Sequence, residues 1–334
     1  MYEKDNSYGE MVFDWAWADA YDRAGGKYYP KLVVASPYTP ATGPRLLVLP
    51  SADHAAVVQL LIDTAIDYAK RRGLSSLHWL FTNEADTAEL VRAGLALRVG
   101  CQFHWFNHGY QDFDHFLGQF SSAKRKKLRR ERKRVAEQGV SLQRLTGEQV
   151  TSEQWTLWHR FYRSTFDRKG GIATLSEGFF HEIGQGLGDR VLLVFAHWRG
   201  RPVAAALMVR SDRVLYGRHW GCDADFHSLH FEACYYQGLE YAIERGLAVF
   251  EPGAQGEHKI QRGFIPTSTY SAHWLSDPGF SRAINRFVAH EQLMMGDYMA
   301  ELCEHLPFRH PDPNDNTPWI NLSPNPPNRT RKPF

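Results

Sequence analysis

The segment FEPGAQGEHKIQRGF, residues 250–264, sets two acids, a histidine and a lysine among three glycines, directly after an apolar run. Each residue type has a use in proton or anion chemistry. Glu251 or Glu257 can accept or relay a proton, His258 can do either near neutral pH, and Lys259 can hold a phosphate or a developing oxyanion. Gly253 and Gly256 allow the main chain to approach a ligand closely and present its N–H groups, and Gln255 between them is a further candidate for substrate contact. A second cluster, YGRHWG at 216–221, supplies Tyr216, Arg218, His219 and Trp220. Arg218 suits a carboxylate or phosphate and Trp220 a stacking contact. Strand alternation sends Arg218 and His219 to opposite faces, so that one of them faces a substrate.

These clusters need strands to carry them. The apolar runs 191–198, 202–210 and 214–220 are joined by the turn-like RGR and SDR, which predicts an antiparallel meander. Leu229, Ala233, Tyr236, Leu239 and Ile243 then recur at helical spacing until Gly246, and LAVFE at 247–251 predicts a strand. A strand, helix, strand passage permits parallel pairing through a right-handed crossover. The first half predicts strands at 28–36 and 45–49, a helix capped by Ser51 or Asp53 and ended by Gly73, a strand at 74–81, a helix at 86–92 and a strand at 95–106. The stretches Ala69–Leu74 and Ala242–Leu247 share A-x-x-R-G-L where a long helix turns into a strand, which suggests duplication.

Charge is unevenly spread. The net +2 of the 334 residues conceals a local +7 in residues 121–138, SSAKRKKLRRERKRVAEQ, with nine Lys/Arg and two Glu. Ser121 or Ser122 as cap, Gly139 as terminator and Leu128 with Val135 predict a helix with a narrow apolar seam. Arg125, Lys126, Arg129 and Arg130 on its other faces are candidate contacts for an anionic partner such as RNA, a nucleotide-linked substrate or a phosphorylated cofactor.

The 43% hydrophobic composition supports a substantial core. Four scattered cysteines (Cys101, Cys222, Cys234, Cys303) form no C-x-x-C pair, which argues against a disulfide framework or a zinc ribbon. No run suits a membrane span and no signal peptide opens the chain, so a cytoplasmic protein with reduced thiols is expected. In the aromatic stretches VFDWAWADAY and FHWFNHGY, the residues Asp14, Trp15 and His104 are candidates for a substrate wall, beside the plainer reading of aromatic core. The run His227-x-x-His230-x-Glu232 could make a metal half-site, but no further ligand to complete it is apparent, so no metal is expected. Eight prolines between Pro307 and Phe334 predict a disordered tail.

The stretches SYGEMVFDWAWADAY (7–21), FHWFNHGYQDFDHFL (103–117), LHFEACYYQGLEYAI (229–243) and FEPGAQGEHKIQRGF closely resemble the FemAB-like predicted N-acyltransferases of the GNAT superfamily, over about residues 5–308. The resemblance implies an α/β (α+β) fold of two tandem GNAT-like domains, with mixed sheets flanked by helices. The expected divisions are a first domain at 1–120, short at its N-terminus relative to the family, a linking helix at 121–139, a catalytic domain at 140–306 and the tail. It implies transfer of an acyl or aminoacyl group from acyl-CoA or aminoacyl-tRNA to an amine of a small-molecule, peptide or cell-wall-precursor-like acceptor. Lys259, with Gly263 and Phe264 after it, matches the context of an active-site lysine in FemAB aminoacyltransferases. Glu257, His258 and Arg218 complete the expected catalytic set, with Glu251, Tyr216, His219, Trp220 and Gln255 around the substrate. The usual GNAT acetyl-CoA loop ends in a small residue where this chain has Asp223, which would repel a pyrophosphate and gives weight to tRNA as donor. The rival expectation is a non-catalytic RNA-binding protein on the same fold, and a weaker third is a metal-dependent hydrolase.

Overall fold

The computed structural model describes residues 1–254 and 256–309. The chain opens with β1 (Tyr2–Lys4), α1 (Trp15–Arg23), β2 (Lys31–Val34), α2 (His54–Arg71), β3 (Ser76–Thr82), α3 (Glu84–Arg92) and β4 (Ala96–Phe106). It continues through α4 (Phe113–Gly118), α5 (Ser122–Glu137), β5 (Val140–Thr146), α6 (Ser152–Lys169), α7 (Glu177–Leu187), β6 (Val191–Trp198), β7 (Arg201–Arg210) and β8 (Val214–Cys222). Then come α8 (Leu229–Phe231), α9 (Gln237–Glu244), β9 (Val249–Glu251), β10 (Ile265–Leu275) and α10 (Pro278–Glu304).

The chain forms two compact units, Met1–Gln102 with Pro266–Glu304, and Phe103–Ile265 with the segment from His305. The expected divisions at 120 and 306 differ from this for a definite reason. Strand β10 pairs antiparallel with β3, from Tyr270↔Thr82 to Leu275↔Ser76, and so returns residues 266–304 to the first unit.

In the first unit β2 lies between β1, antiparallel, and β3, parallel. Helix α2 starts as its cap chemistry predicts, with the Asp53 carboxylate accepting from Ala56 N at 3.2 Å. It buries Val58, Ile62, Ala65 and Ala69 against Leu32, Leu77, Trp79 and Ala272. The predicted strand at 45–49 does not form. The N–H groups of Arg45 and Leu46, which a ladder would use, donate instead to the Asp86 carboxylate, while Leu47 and Leu49 point outward and are exposed.

In the second unit β5 to β8 form the predicted antiparallel meander, extended by one strand, and β8 pairs parallel with β9 from Val214↔Val249 to Tyr216↔Glu251. The end of β4 adds antiparallel to the other edge of β9, with Trp105 opposite Phe250. Pleat alternation separates two cores. Leu193, Phe195, Ala205 and Leu207 pack on Trp158, Phe161 and Tyr162 of α6, whereas Ala196, Ala204 and Cys222 pack on Val135 of α5 and Leu229 of α8. Leu128 and Val135 form the buried seam of α5, as predicted.

The A-x-x-R-G-L repeat has a local cause in each unit. Leu74 N donates to Ala69 O and Gly73 N to Lys70 O; Leu247 N donates to Ala242 O and Gly246 N to Ile243 O. Both glycines have positive φ, +65° and +62°. This is the same Schellman closure twice, with the leucine buried behind it. At the chain's far end Pro307 O accepts from Ser121 N and the Phe308 ring meets Phe120, so residues 307–309 of the expected disordered tail are seated on the second unit. The remainder of that segment lies outside the described residues. Among the described residues no helix is long and apolar enough to cross a membrane.

Candidate active site

The site is built where β8 and β9 part. They pair over three residues only, after which β8 runs on to Cys222 while β9 ends at Glu251. The register of β7 on β8 shifts between Leu207↔His219 and Met208↔Gly217, which makes Arg218 the extra residue of a β-bulge. A bulge raises local twist, ends regular pairing and re-aims side chains. The chain leaving β9 crosses over Gly217 so closely that a Cβ there would stand 3.0 Å from Pro252 Cα. Gly253 and Gly256 then take φ of +103° and +116°, a backbone region that side chains resist.

A 3₁₀ turn over Glu257–Arg262 follows and buries Lys259 to 2% exposure. Its Nζ donates to Gly253 O at 2.7 Å, folding the side chain back onto the glycine loop. An ammonium has three protons to donate. Loss of water around it lowers the Lys259 pKa to about 8. His104 is also buried and is held near 3, first by burial and then by the Lys259 charge. Because Trp105 and Leu215 both pair with Phe250, one on each edge of β9, one step along each strand places His104, Glu251 and Tyr216 on the opposite face of the sheet. The loop therefore connects Lys259, through Gly253 and Pro252, to Gly217 beside Arg218. Glu257 and His258 are exposed at the start of the turn, and Gln255 lies outside the described residues.

The alternation expected at Arg218 and His219 is interrupted by the bulge. The His219 ring meets Tyr162 of α6 edge-on at 4.9 Å, and the same phenol partly offsets the loss of water that lowers the half-buried Arg218 guanidinium to about 10. Trp220 points to the other side, where its ring meets His230 at 5.5 Å. Asp223 is ion-paired with Arg160 at 2.5 Å, so its charge is partly neutralised.

Several residues that the sequence reading passed over hold this loop. Arg262, buried, donates to His258 O at 2.7 Å and to Glu131 of α5 at 2.9 Å, and Tyr236 OH donates to the same Glu131 carboxylate. The Arg262 guanidinium also lies over the Phe231 ring at 3.4 Å. Between α8 and α9 the helix widens into a π turn, Glu232–Tyr236, which sets Tyr235 OH 3.0 Å from His258 Nε2. The available signal was Glu131 itself, an acid flanked by arginines inside the basic run.

Helix α5 accordingly has two roles. Arg132 is committed to Glu232 and Glu240, and Arg129 pairs with Asp114 at 2.8 Å in the open. Lys126 and Arg130 are exposed and Arg125 half-buried, with no ion pair among the described residues. Glu232, one member of the sequence-level metal half-site, is taken by Arg132. A cavity of about 560 Å³ in this unit is lined by Phe113, Leu117, Arg129, Arg132, Glu240 and Ile243, with no residue of the 252–264 loop in its lining.

Asp14 and Trp15 belong to the first unit. Trp15 is half exposed at the start of a helix, and Trp17 two residues on is buried. Asp14 accepts from the fully buried Lys31 Nζ at 2.5 Å and from Tyr28 OH at 2.6 Å, and Glu10 accepts from Lys31 at 2.8 Å. Ser7 accepts from Lys31 as well, at 2.9 Å. His78 and His273 share a contact of 2.6 Å beneath this cluster. Burial opposes ionisation of Asp14, but His78 and Lys31 pull its pKa to about 2; burial holds His78 near 3.

These shifts give a pH prediction. His78 and His104 bind protons less readily folded than unfolded, so their contribution is complete above about 6.5 and is lost as pH falls toward 3. Asp14 acts in the same sense below its ordinary 3.8, and Glu10, whose pKa burial raises, partly opposes them. Urea unfolding at pH 5 should show a loss of about 2 kcal/mol per buried histidine relative to pH 7.5. An unchanged midpoint would contradict the buried, neutral state of these rings.

The profile of the FemAB-like family, described as peptidoglycan biosynthesis/recognition, matches residues 1–310. No curated protein matches the chain by sequence. Among solved structures, the C-terminal domain of a protein assigned as a lysylphosphatidylglycerol synthetase from Agrobacterium fabrum is similar at 13% identity and TM-score 0.51, covering 72% of this chain and 79% of that one. L-PGS from Bacillus licheniformis is similar at 13% identity and TM-score 0.50, covering 69% and 77%. FemX is similar at 11% identity and TM-score 0.50, covering 77% and 84%. At these identities the likeness is one of fold, and it agrees with the α/β architecture expected from the sequence.

Proposed function

The chain belongs to the FemAB-like family, and from that premise we propose that it is an N-acyltransferase, moving an acyl or aminoacyl group from an activated donor to the amine of a small or peptide acceptor. The observation that carries this reading is Lys259, a buried ammonium with a lowered pKa folded onto a glycine loop at the parting of two parallel strands. In the reaction the neutral amine attacks the donor carbonyl, a C–N bond forms, and the C–S or C–O bond to the donor breaks. The leaving thiol or hydroxyl takes up the proton that the amine loses. Lys259 would stabilise the oxyanion, Glu257 would receive the amine proton, and Arg218 would hold a carboxylate or phosphate of a substrate. Glu251, Tyr216 and His104 would line the acceptor side.

Aminoacyl-tRNA is the favoured donor, because Lys126 and Arg130 leave a cationic stripe on the helix that anchors the catalytic loop through Glu131. The Lys126→Glu, Arg130→Glu variant should raise KM for a tRNA donor with kcat little changed. Its log-log salt dependence of RNA binding should flatten by about 2. Loss of kcat in that variant with donor saturating would contradict a donor-binding role for the stripe and place these cations in the transfer step itself. The reaction class is tested by incubating the protein with aminoacyl-tRNA or acyl-CoA and candidate amines, then identifying any new amide by mass spectrometry. Absence of an amide with both donor classes would argue for the non-catalytic RNA-binding alternative.

A further inference from the structure

Tyr235 lies in the π turn Glu232–Tyr236, which is buried on more than one face, and is only 4% exposed. Its ring meets Phe264 at 5.6 Å and stacks on Phe231 at 6.1 Å, so it is fixed from two sides. Its hydroxyl stands 3.0 Å from His258 Nε2. A buried phenol must place its proton on an acceptor. Among the described residues the imidazole nitrogen is the hydrogen-bonding partner it meets, and burial raises the phenol pKa so that the proton stays in place.

We propose that Tyr235 donates to Nε2 of His258 and thereby holds the imidazole in the tautomer that carries its proton on Nδ1, the reverse of the tautomer that free histidine favours. His258 then meets a ligand as a hydrogen-bond donor through Nδ1–H, and its Nε2 is not available as a base. Two features confine the ring in this pose. A Cβ on Gly256 would lie 2.4 Å from the His258 Cε1 and 2.9 Å from Nδ1, so the glycine lets the ring lie directly on the main chain. Arg262 fixes the His258 carbonyl from behind. Burial, then the Arg262 and Lys259 charges, lower the His258 pKa and keep the ring neutral. Tyr235 is thus a positioning residue.

The consequence for catalysis rests on the acyl-transfer reading; the tautomer does not. In that chemistry Nδ1–H would assist Lys259 at the oxyanion, and proton removal would belong to Glu257 or solvent. The test is a long-range ¹H–¹⁵N correlation spectrum of the whole protein with labelled histidine, in which His258 is assigned by the signal lost in His258→Gln. The wild type should show a protonated Nδ1 and an unprotonated Nε2 at pH 7.5, and Tyr235→Phe should shift the ring toward Nε2–H. A wild-type His258 protonated on Nε2, or an unchanged spectrum in Tyr235→Phe, would overturn the proposal. In transfer assays Tyr235→Phe should lose about tenfold or more in kcat with KM nearly unchanged. A tautomer change without loss of transfer would leave the assignment standing and remove His258 from the proposed reaction.

Discussion

Replacing Lys259 with methionine should slow amide formation by about 10²–10³-fold in kcat/KM, the usual effect of removing one donor from a developing oxyanion. Methionine preserves much of the buried stem, so far-UV circular dichroism and the unfolding midpoint should stay close to wild type. The pH profile supplies a second signature. With a pKa of about 8, the ammonium is lost as pH rises through that value, so kcat/KM should fall on the alkaline side with an apparent pKa near 8. The residual activity of the variant should lack that limb. If Lys259 served instead as a base, activity would rise through the same pH, and the sign of the limb separates the two roles.

The largest stability effect is expected at the other end of the chain. Lys31→Met would leave the Glu10 and Asp14 carboxylates buried beside each other without the ammonium they share. Breaking a buried ion pair by removing one partner typically costs about 3–5 kcal/mol, and two acceptors share this cation. Chemical denaturation should show that loss at pH 7.5, with a partial recovery on mild acidification because Glu10, already raised by burial, can then take up a proton. A loss below about 1 kcal/mol would mean that water reaches the cluster.

Legibility in the sequence followed the range of the interactions. The β6–β8 meander was readable because its apolar runs are separated by short polar turns, and both A-x-x-R-G-L closures were readable because helix termination is local. Residues 45–49 misled, since the apolar pattern of a strand says nothing about Asp86, some forty residues away, capturing the N–H groups that a ladder needs. Lys31 gave no signal for the same reason, because its partners lie 17 and 21 residues upstream across a helix start. The glycine loop with Lys259 was readable from residue types alone. The facing of Arg218 was not legible, because one inserted residue in β8 breaks the two-residue alternation on which the inference depended. Tyr235 was missed because a π turn is invisible to a 3.6-residue period.

The account depends on the acyl group being transferred at the loop beyond β9. A donor carrying a photoreactive acyl group, cross-linked to the protein and mapped by peptide mass spectrometry, tests that location directly. The account predicts label within residues 216–220 and 252–264, with competition by unmodified donor. Label confined to the cavity lined by Phe113, Leu117, Arg132 and Ile243 would contradict it.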